Sequence, residues 1–408
     1  MLRADVQDKK RTRVCVVRHS YFPSDHRVRK EAYALAEAGF DVDVICLRDG
    51  REPRRETLHG INVCRLPLGH KRRGLVQHCA EYAIGFLLMF FWLSVRCVRR
   101  RYDVIQVNTM PDFLVFASLT GKLLGAKVLL DLHEPCPELF AAQYGPDKHR
   151  VMHRLLASIE QAAIRYADSV VTVNEAMRKR FIDRGSAPSK ITVLRNVPDR
   201  GFAEAASRQQ VRGGFTLLNH GLLTHWAGQD VILRALAILR PQIRDVRLVL
   251  AGDGENIDRL RCLAAEIHCA DIVEFTGWLP YGEMADLIFG ADVGIVSHLP
   301  GPFSELCQPI KLFEYVACRR PVIAPRMAAM EECFDSSCIT LFKPGEPQDL
   351  ARCILELYGC PDTGRRRAER AYDRFQQLRW ETAKTAYVDI VGNLAPKRSL
   401  EVSSLSTG

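Results

Sequence analysis

Short apolar runs alternate with stretches of helical periodicity along most of the chain. Residues 12–18 (TRVCVVR), 42–47 and 61–66 (INVCRL) read as buried strands. Between the first two, Asp25 is placed to cap a helix that runs to about Ala38 and stops at Gly39. Strand, helix and strand at this spacing make a parallel βαβ unit. Further strands are expected at 104–108, 127–132, 169–173 and 191–194, with helices at 111–124, 148–166 and 175–184. Residues 195–214 (RNVPDRGFAEAASRQQVRGG) then break the pattern with a polar, Gly- and Pro-bearing stretch. A second alternation follows, with strands at 215–220, 246–251, 272–275 and 293–297, helices at 228–239 and 281–289, and helices filling 347–394. This α/β pattern predicts two doubly wound, Rossmann-like domains facing across a cleft. The first covers 1–199 and the second 200–379. Helix 380–392 is expected to pack back on the first domain, and 395–408 to be a disordered tail.

One segment departs from that rhythm. HKRRG at 70–74 precedes the apolar run 83–95 (AIGFLLMFFWLSV), and RCVRRR follows at 96–101. The run is about half of the roughly 20 residues that a transmembrane helix needs. Its basic flanks and aromatic content fit a helix lying in an anionic membrane interface across 70–101. A buried core helix with solvated basic ends fits equally well.

The richest chemistry lies at 304–325 (SELCQPIKLFEYVACRRPVIAP). Ser304 is a candidate N-cap, Pro309 suits a first helical turn, and Ile310, Phe313 and Ala317 form an apolar stripe. Lys311 and Glu314, three residues apart, share one face. Free amides and the positive dipole end of a helix suit a diphosphate. A lysine adds charge, and a carboxylate one turn on can accept two hydrogen bonds from a ribose diol. The same two residues could equally be an ordinary surface ion pair. Gly221, Gly252 and Ser297 each follow a strand and line the same rim. His133 follows the strand at 127–132, where ligands sit in open parallel sheets, although a histidine there is also a common structural residue. Arg27 and Lys30, near the start of the helix capped by Asp25, either meet an acceptor phosphate or form a solvated helix face.

Composition narrows the classes. The chain has 408 residues, 47% hydrophobic and 26% charged, a globular balance for two domains. Fourteen cysteines without a CxxC pair indicate a reducing compartment and no structural zinc. No signal peptide is visible in MLRADVQDKKRTR, so the expected location is cytoplasmic. The net charge of +9 fits an anionic partner. Dispersed basic residues without a stacking module argue against nucleic acid. No GxGxxG follows the first strand, which argues against a dinucleotide domain.

From about residue 12 to 392 the chain resembles the retaining glycosyltransferases of the family-4 type, which have the GT-B architecture. The motifs are YFPSDHRVRKEAYALAEAGFDVDVI, VNTMPDFLVFASLTGKLLGAKVLLDLHEPCPEL, VTVNEAMRKRF, ITVLRNVPD, GLLTHWAGQDVILRALAIL, LVLAGDG, VEFTGWLP, ADVGIVS and PIKLFEYVACRRPVIAP. Their order and spacing are most similar to the branch that builds bacterial exopolysaccharide and surface polysaccharide on lipid carriers. The resemblance implies catalytic roles for His133, Lys311 and Glu314. Glu314 would bind the ribose hydroxyls, Lys311 would balance the diphosphate, and His133 would contact the donor sugar. Gly221, Gly252, Ser297, Pro309 and Ile310 would complete the donor site, with Asp25, Arg27 and Lys30 on the acceptor side. Asn196 would begin the interdomain linker. It implies a nucleotide-diphosphate sugar as donor, linked to uridine or guanosine, and a saccharide or lipid-linked acceptor. No cofactor or obligate metal is implied, and no DxD lies between strands.

Two positions depart from the family pattern. The E-x7-E signature places its first glutamate at 306, where Leu306 stands, with Glu305 one residue out of phase. Ala227 precedes Gly228 where a basic residue is usual, so either His225 or another arginine supplies the missing charge or activity is reduced. Two other readings are a GT-B nucleotide-sugar epimerase and a non-catalytic partner of another transferase.

Overall fold

A computed structural model describes residues 11–50, 52–69, 75–145, 150–199, 201–204 and 213–395. The basic cluster at 70–74, part of the linker, the first ten residues and the tail at 396–408 lie outside the described residues.

The strands form two sheets. In the first the order is β3-β4-β2-β1-β5-β6-β7-β8, from β1 (Arg13–Tyr21), β2 (Asp41–Leu47), β3 (Arg55–Leu58), β4 (Ile61–Leu66), β5 (Val104–Asn108), β6 (Lys127–Leu132), β7 (Ser169–Thr172) and β8 (Ile191–Val193). Neighbours pair in parallel except β3 and β4, which form an antiparallel hairpin. The second sheet is parallel throughout, in the order β11-β10-β9-β12-β13-β14. Its strands are β9 (Phe215–His220), β10 (Val246–Ala251), β11 (Val273–Gly277), β12 (Val293–Ile295), β13 (Val322–Pro325) and β14 (Thr340–Phe342). These are two Rossmann-like α/β layers, and the strands inside each sheet are buried on both faces, which is why they read as continuous apolar runs, while the edge strands β3 and β11 are partly exposed.

The sequence pattern omitted the short strands β3 and β14 and the helices Cys136–Tyr144 and Ile257–Glu266. Helix 111–124 is a 3-10 helix over Asp112–Ser118 and α-helical only over Leu119–Leu123. Ser304 is not an N-cap: it lies in a turn, and the helix begins at Ile310 with Pro309 as its extended N-cap. Nor does that helix have a single apolar stripe. Leu312, Phe313, Tyr315 and Val316 are all buried, so it is packed nearly all round.

The segment at 83–95 belongs to a much longer helix, Leu75–Arg100, of 26 residues. Its length and composition meet those of a membrane span. Met89, Leu93 and Cys97 nonetheless pack into the first domain's core. Arg96 and Arg100 each reach the Asp43 carboxylate at 3.0 Å, so these two arginines are tied inward rather than solvated. Gly85 allows the close approach, since a Cβ there would collide with the His19 ring.

The last helix, Trp380–Leu394, lies on the first sheet's side. Tyr387 Oη donates to Gln106 Oε1 at 2.6 Å, Lys384 pairs with Glu37, and the Lys30 ammonium lies 5.0 Å above the Trp380 ring.

Candidate active site

Between the two sheets lies a cavity of about 390 Å3, within the range of small-molecule sites. It is built from chain segments that follow parallel strands. From the first sheet come His133, Glu134 and Pro135, directly after β6. From the second come His220 and Gly221 at the end of β9, His298 beyond β12, and the start of helix Ile310–Ala317.

Lys311 and Glu314 both line the cavity, buried to 7% and 9% exposure. Among the described residues they form no ion pair with each other, which removes the surface-pair reading. Burial lowers the Lys311 ammonium to about 8 and raises the Glu314 carboxyl to about 7. Among the described residues Glu314 Oε2 has no hydrogen-bond partner, and it lies 3.3 Å from His220 Nε2. Burial, together with the charge of Lys311, pushes His220 well below the ordinary imidazole value and His298 down to about 3, so both rings are neutral. Of the residues lining the cavity, Lys311 is the one lysine or arginine.

The glycine turn gives the lysine its room. Gly221 has φ 110°, and a Cβ there would lie 3.4 Å from Lys311 Nζ. Gly252 has φ 138°, and a Cβ on it would strike the Gly221 carbonyl. Gly252 therefore supports the turn from behind and does not line the cavity. Ser297 does not line it either, because its hydroxyl donates to the Ala227 carbonyl at 2.7 Å. Pro309 and Ile310 do line it. The Leu312 amide bonds the Pro309 carbonyl at 3.1 Å, while the amides of Ile310 and Lys311 have no carbonyl of the helix to bond.

His133 Nδ1 lies 3.5 Å from Asp131 Oδ2. Asp131 is fully buried. Burial alone would raise its carboxyl, but Arg27 and His133 hold it below the usual carboxylate range. Arg27 Nε and Nη2 donate to its two oxygens at 2.7 and 2.8 Å, and Asn108 Nδ2 donates at 2.7 Å.

That network corrects the acceptor-side expectation. Arg27 is neither solvated nor free for a phosphate. It is 3% exposed and shared between Asp131 and Glu31. Lys30 donates to the Val197 carbonyl at 2.6 Å and to Asn196 Oδ1 at 3.3 Å, bracing the start of the linker. Asp25 caps its helix through Val28 N and pairs with Arg18 at 2.8 Å. None of the three lines the cavity. His225 supplies no charge there either, because its Nε2 bonds the Ala142 carbonyl at 2.7 Å, outside the cavity.

Sequence reasoning missed His220, His298, Trp226 and Tyr281, all of which line the cavity. The strand-end rule that selected Gly221 and Ser297 could have found His220 and His298, each one residue away.

Residues 24–197 match the model described as "Glycosyl transferase 4-like domain" and residues 214–359 the model "Glycosyl transferases group 1". Together the two matches span most of the chain, which belongs with the GT-B glycosyltransferases. It is 27% identical to 2-deoxystreptamine glucosyltransferase of Streptomyces kanamyceticus, over 66% of this chain and 73% of that protein. Sucrose-phosphate synthase of Thermosynechococcus elongatus superposes with a TM-score of 0.75 at 19% identity, covering 94% of this chain and 99% of that one. Anabaena HepE, solved in complex with UDP-glucose, gives 0.69 at 20% identity over 93% and 99%.

Proposed function

We propose that the protein is a retaining glycosyltransferase that moves a sugar from a nucleotide-diphosphate donor to a saccharide or lipid-linked saccharide in polysaccharide synthesis. It works in the cytoplasm, against the inner face of the membrane. The observation that carries this reading is the buried pair Lys311 and Glu314, unpaired with each other and sharing one cavity with His133.

In this reading the diphosphate rests on the amides at Ile310 and Lys311, beneath the Gly221 turn. The Lys311 charge and the helix dipole stabilise the departing diphosphate, the main electrostatic task of such a reaction. Glu314 accepts from the two ribose hydroxyls. His133 faces the sugar, held by Asp131. The acceptor attacks from the leaving-group side, so configuration is kept without a covalent intermediate. The solved complex of HepE with UDP-glucose supports uridine as the base.

Titration calorimetry of the purified chain with UDP, GDP and their sugars tests the donor half. Incubation of those sugars with bacterial membranes, followed by mass spectrometry of the lipid fraction, tests transfer. Nucleotide binding without any glycosylated product would leave a donor-binding protein and remove the transferase.

A further inference from the structure

One stretch of the cavity wall is apolar. The Trp226 ring packs edge-on against His298 at 5.4 Å and against Phe303 at 4.8 Å. Leu306 follows one turn after Phe303, its amide bonded to the Phe303 carbonyl at 3.0 Å. The first domain completes this wall with Val173 and Met177, which lie in the same apolar cluster as Leu306. Phe303, Leu306 and Met177 are each at most 5% exposed.

Asn174, beside this wall, is already used. Asn174 Nδ2 donates to the Leu306 carbonyl at 2.8 Å, and its Oδ1 accepts from Met177 N at 2.7 Å. Glu305 faces a different cavity, on the far side of Leu306. His133, Glu134, Cys307 and His298 are the polar groups on this side, and His298 Nδ1 has no hydrogen-bond partner among the described residues. The Cys307 thiol is pushed up to about 12, by burial first and then by Glu134, so it stays neutral.

We propose that this wall is a subsite for a methyl group on the donor sugar. The sugar would be a 6-deoxy hexose or one carrying an N-acetyl group, with the methyl against Leu306, Phe303 and Met177. The inference rests on the donor reading above and names its sugar class. A hydroxyl set against those three side chains would lose its water without gaining a partner from them, while His298 Nδ1 is left for a hydroxyl elsewhere on the ring. His133 and Glu134 stay available to the sugar's other hydroxyls.

The test is calorimetry on the full chain with UDP, UDP-glucose, UDP-6-deoxyglucose and UDP-N-acetylglucosamine, and with GDP, GDP-mannose and GDP-rhamnose. Each sugar is compared with its own free nucleotide. One methyl-bearing donor should bind about tenfold or more tightly than its hydroxylated parent, the scale set by one apolar group in a pocket. The 6-deoxy and N-acetyl arms tell the two sources apart. Leu306→Glu should reverse the preference. Leu306→Gln repeats the test without a charge, with the melting temperature checking that each variant folds. Equal affinities within every series, unmoved by either substitution, overturn the methyl subsite and leave the donor reading intact. Absence of binding by UDP and GDP themselves overturns both.

Discussion

His220 Nε2 lies 3.3 Å from Glu314 Oε2, and neither atom has a hydrogen-bond partner among the described residues. One ring is held neutral and the carboxyl beside it is poised to ionise, both chiefly through burial. Two polar groups left unsatisfied in a buried cavity are costly unless a ligand completes them. A ribose diol donating to the carboxylate would do so.

Donor affinity should therefore be bell-shaped in pH. Glu314 must be ionised to accept two hydrogen bonds, so affinity rises as pH passes about 7. Lys311 must be charged to meet the diphosphate, so affinity falls as pH passes about 8. The profile should peak between these values when measured with a nucleotide sugar, whose diphosphate does not titrate here. Glu314→Gln should flatten the acid limb and weaken binding about tenfold or more. A wild-type profile flat from pH 6 to 9 would show that neither group meets the donor.

Lys311→Met should separate function from stability. Burial lowers the lysine, so the native state holds fewer protons than the unfolded chain between about 8 and 10.5. Stability from this group therefore rises with pH across that window, and the buried charge is a net cost at pH 7. Removing it should raise the melting temperature of the empty protein by a few degrees, about 1–3 kcal/mol. Nucleotide affinity should fall at least a hundredfold. A lower melting temperature would mean that the ammonium is a structural partner rather than a site held open at a cost in stability.

Arg27→Met should be severe for a reason unrelated to substrate. The substitution leaves Asp131 and Glu31 buried side by side without their ion-pair partner, with Lys30 acting on them only at longer range. Glu31 already sits up at about 7, through burial and then the Asp131 charge. Breaking such a pair costs about 3–5 kcal/mol, readable from urea unfolding. The loss should shrink as pH falls toward about 7, because Glu31 takes up its proton there and, without the Arg27 charge, takes it up at higher pH still. Arg27→Lys should recover only part of it, since an ammonium cannot span both Asp131 oxygens. A full-strength fold with weakened acceptor use would restore Arg27 to the acceptor side.

The sequence exposed the architecture because parallel strands buried on both faces are continuous apolar runs, and the rim residues follow them. It placed Lys311, Glu314, His133 and Gly221 in one cavity for that reason. What it missed depends on contacts distant in sequence. Arg27 looks like a helix-surface charge until β6 brings Asp131 beneath it, 104 residues on. Ser297 stands at a strand end as expected, but the Ala227 carbonyl takes its hydroxyl. His220 stands at a strand end where it could have been read, but its partner could not, because Glu314 reaches it only once β9 and helix Ile310–Ala317 pack together. The length of helix Leu75–Arg100 was hidden by its polar first turns.

That helix supports the last prediction. One face is fixed in the core by Met89, Leu93 and Cys97, while Leu87, Phe91 and Val98 on the outer face are 63%, 62% and 66% exposed. A ridge of this kind beside Arg99 and Arg101 suits the interface of an anionic bilayer, where apolar burial and charge act together. Each apolar side chain that enters the bilayer contributes about 1.5–3 kcal/mol. Leu87→Ser with Phe91→Ser should thus abolish sedimentation with phosphatidylglycerol vesicles. The melting temperature and nucleotide affinity should hold, because neither side chain touches the core. Gly85→Ala makes the opposite control: a methyl there meets the His19 ring, so it should lower the melting temperature and leave the outer ridge chemically intact. Vesicle binding that survives the double serine variant would place the membrane contact elsewhere on the chain.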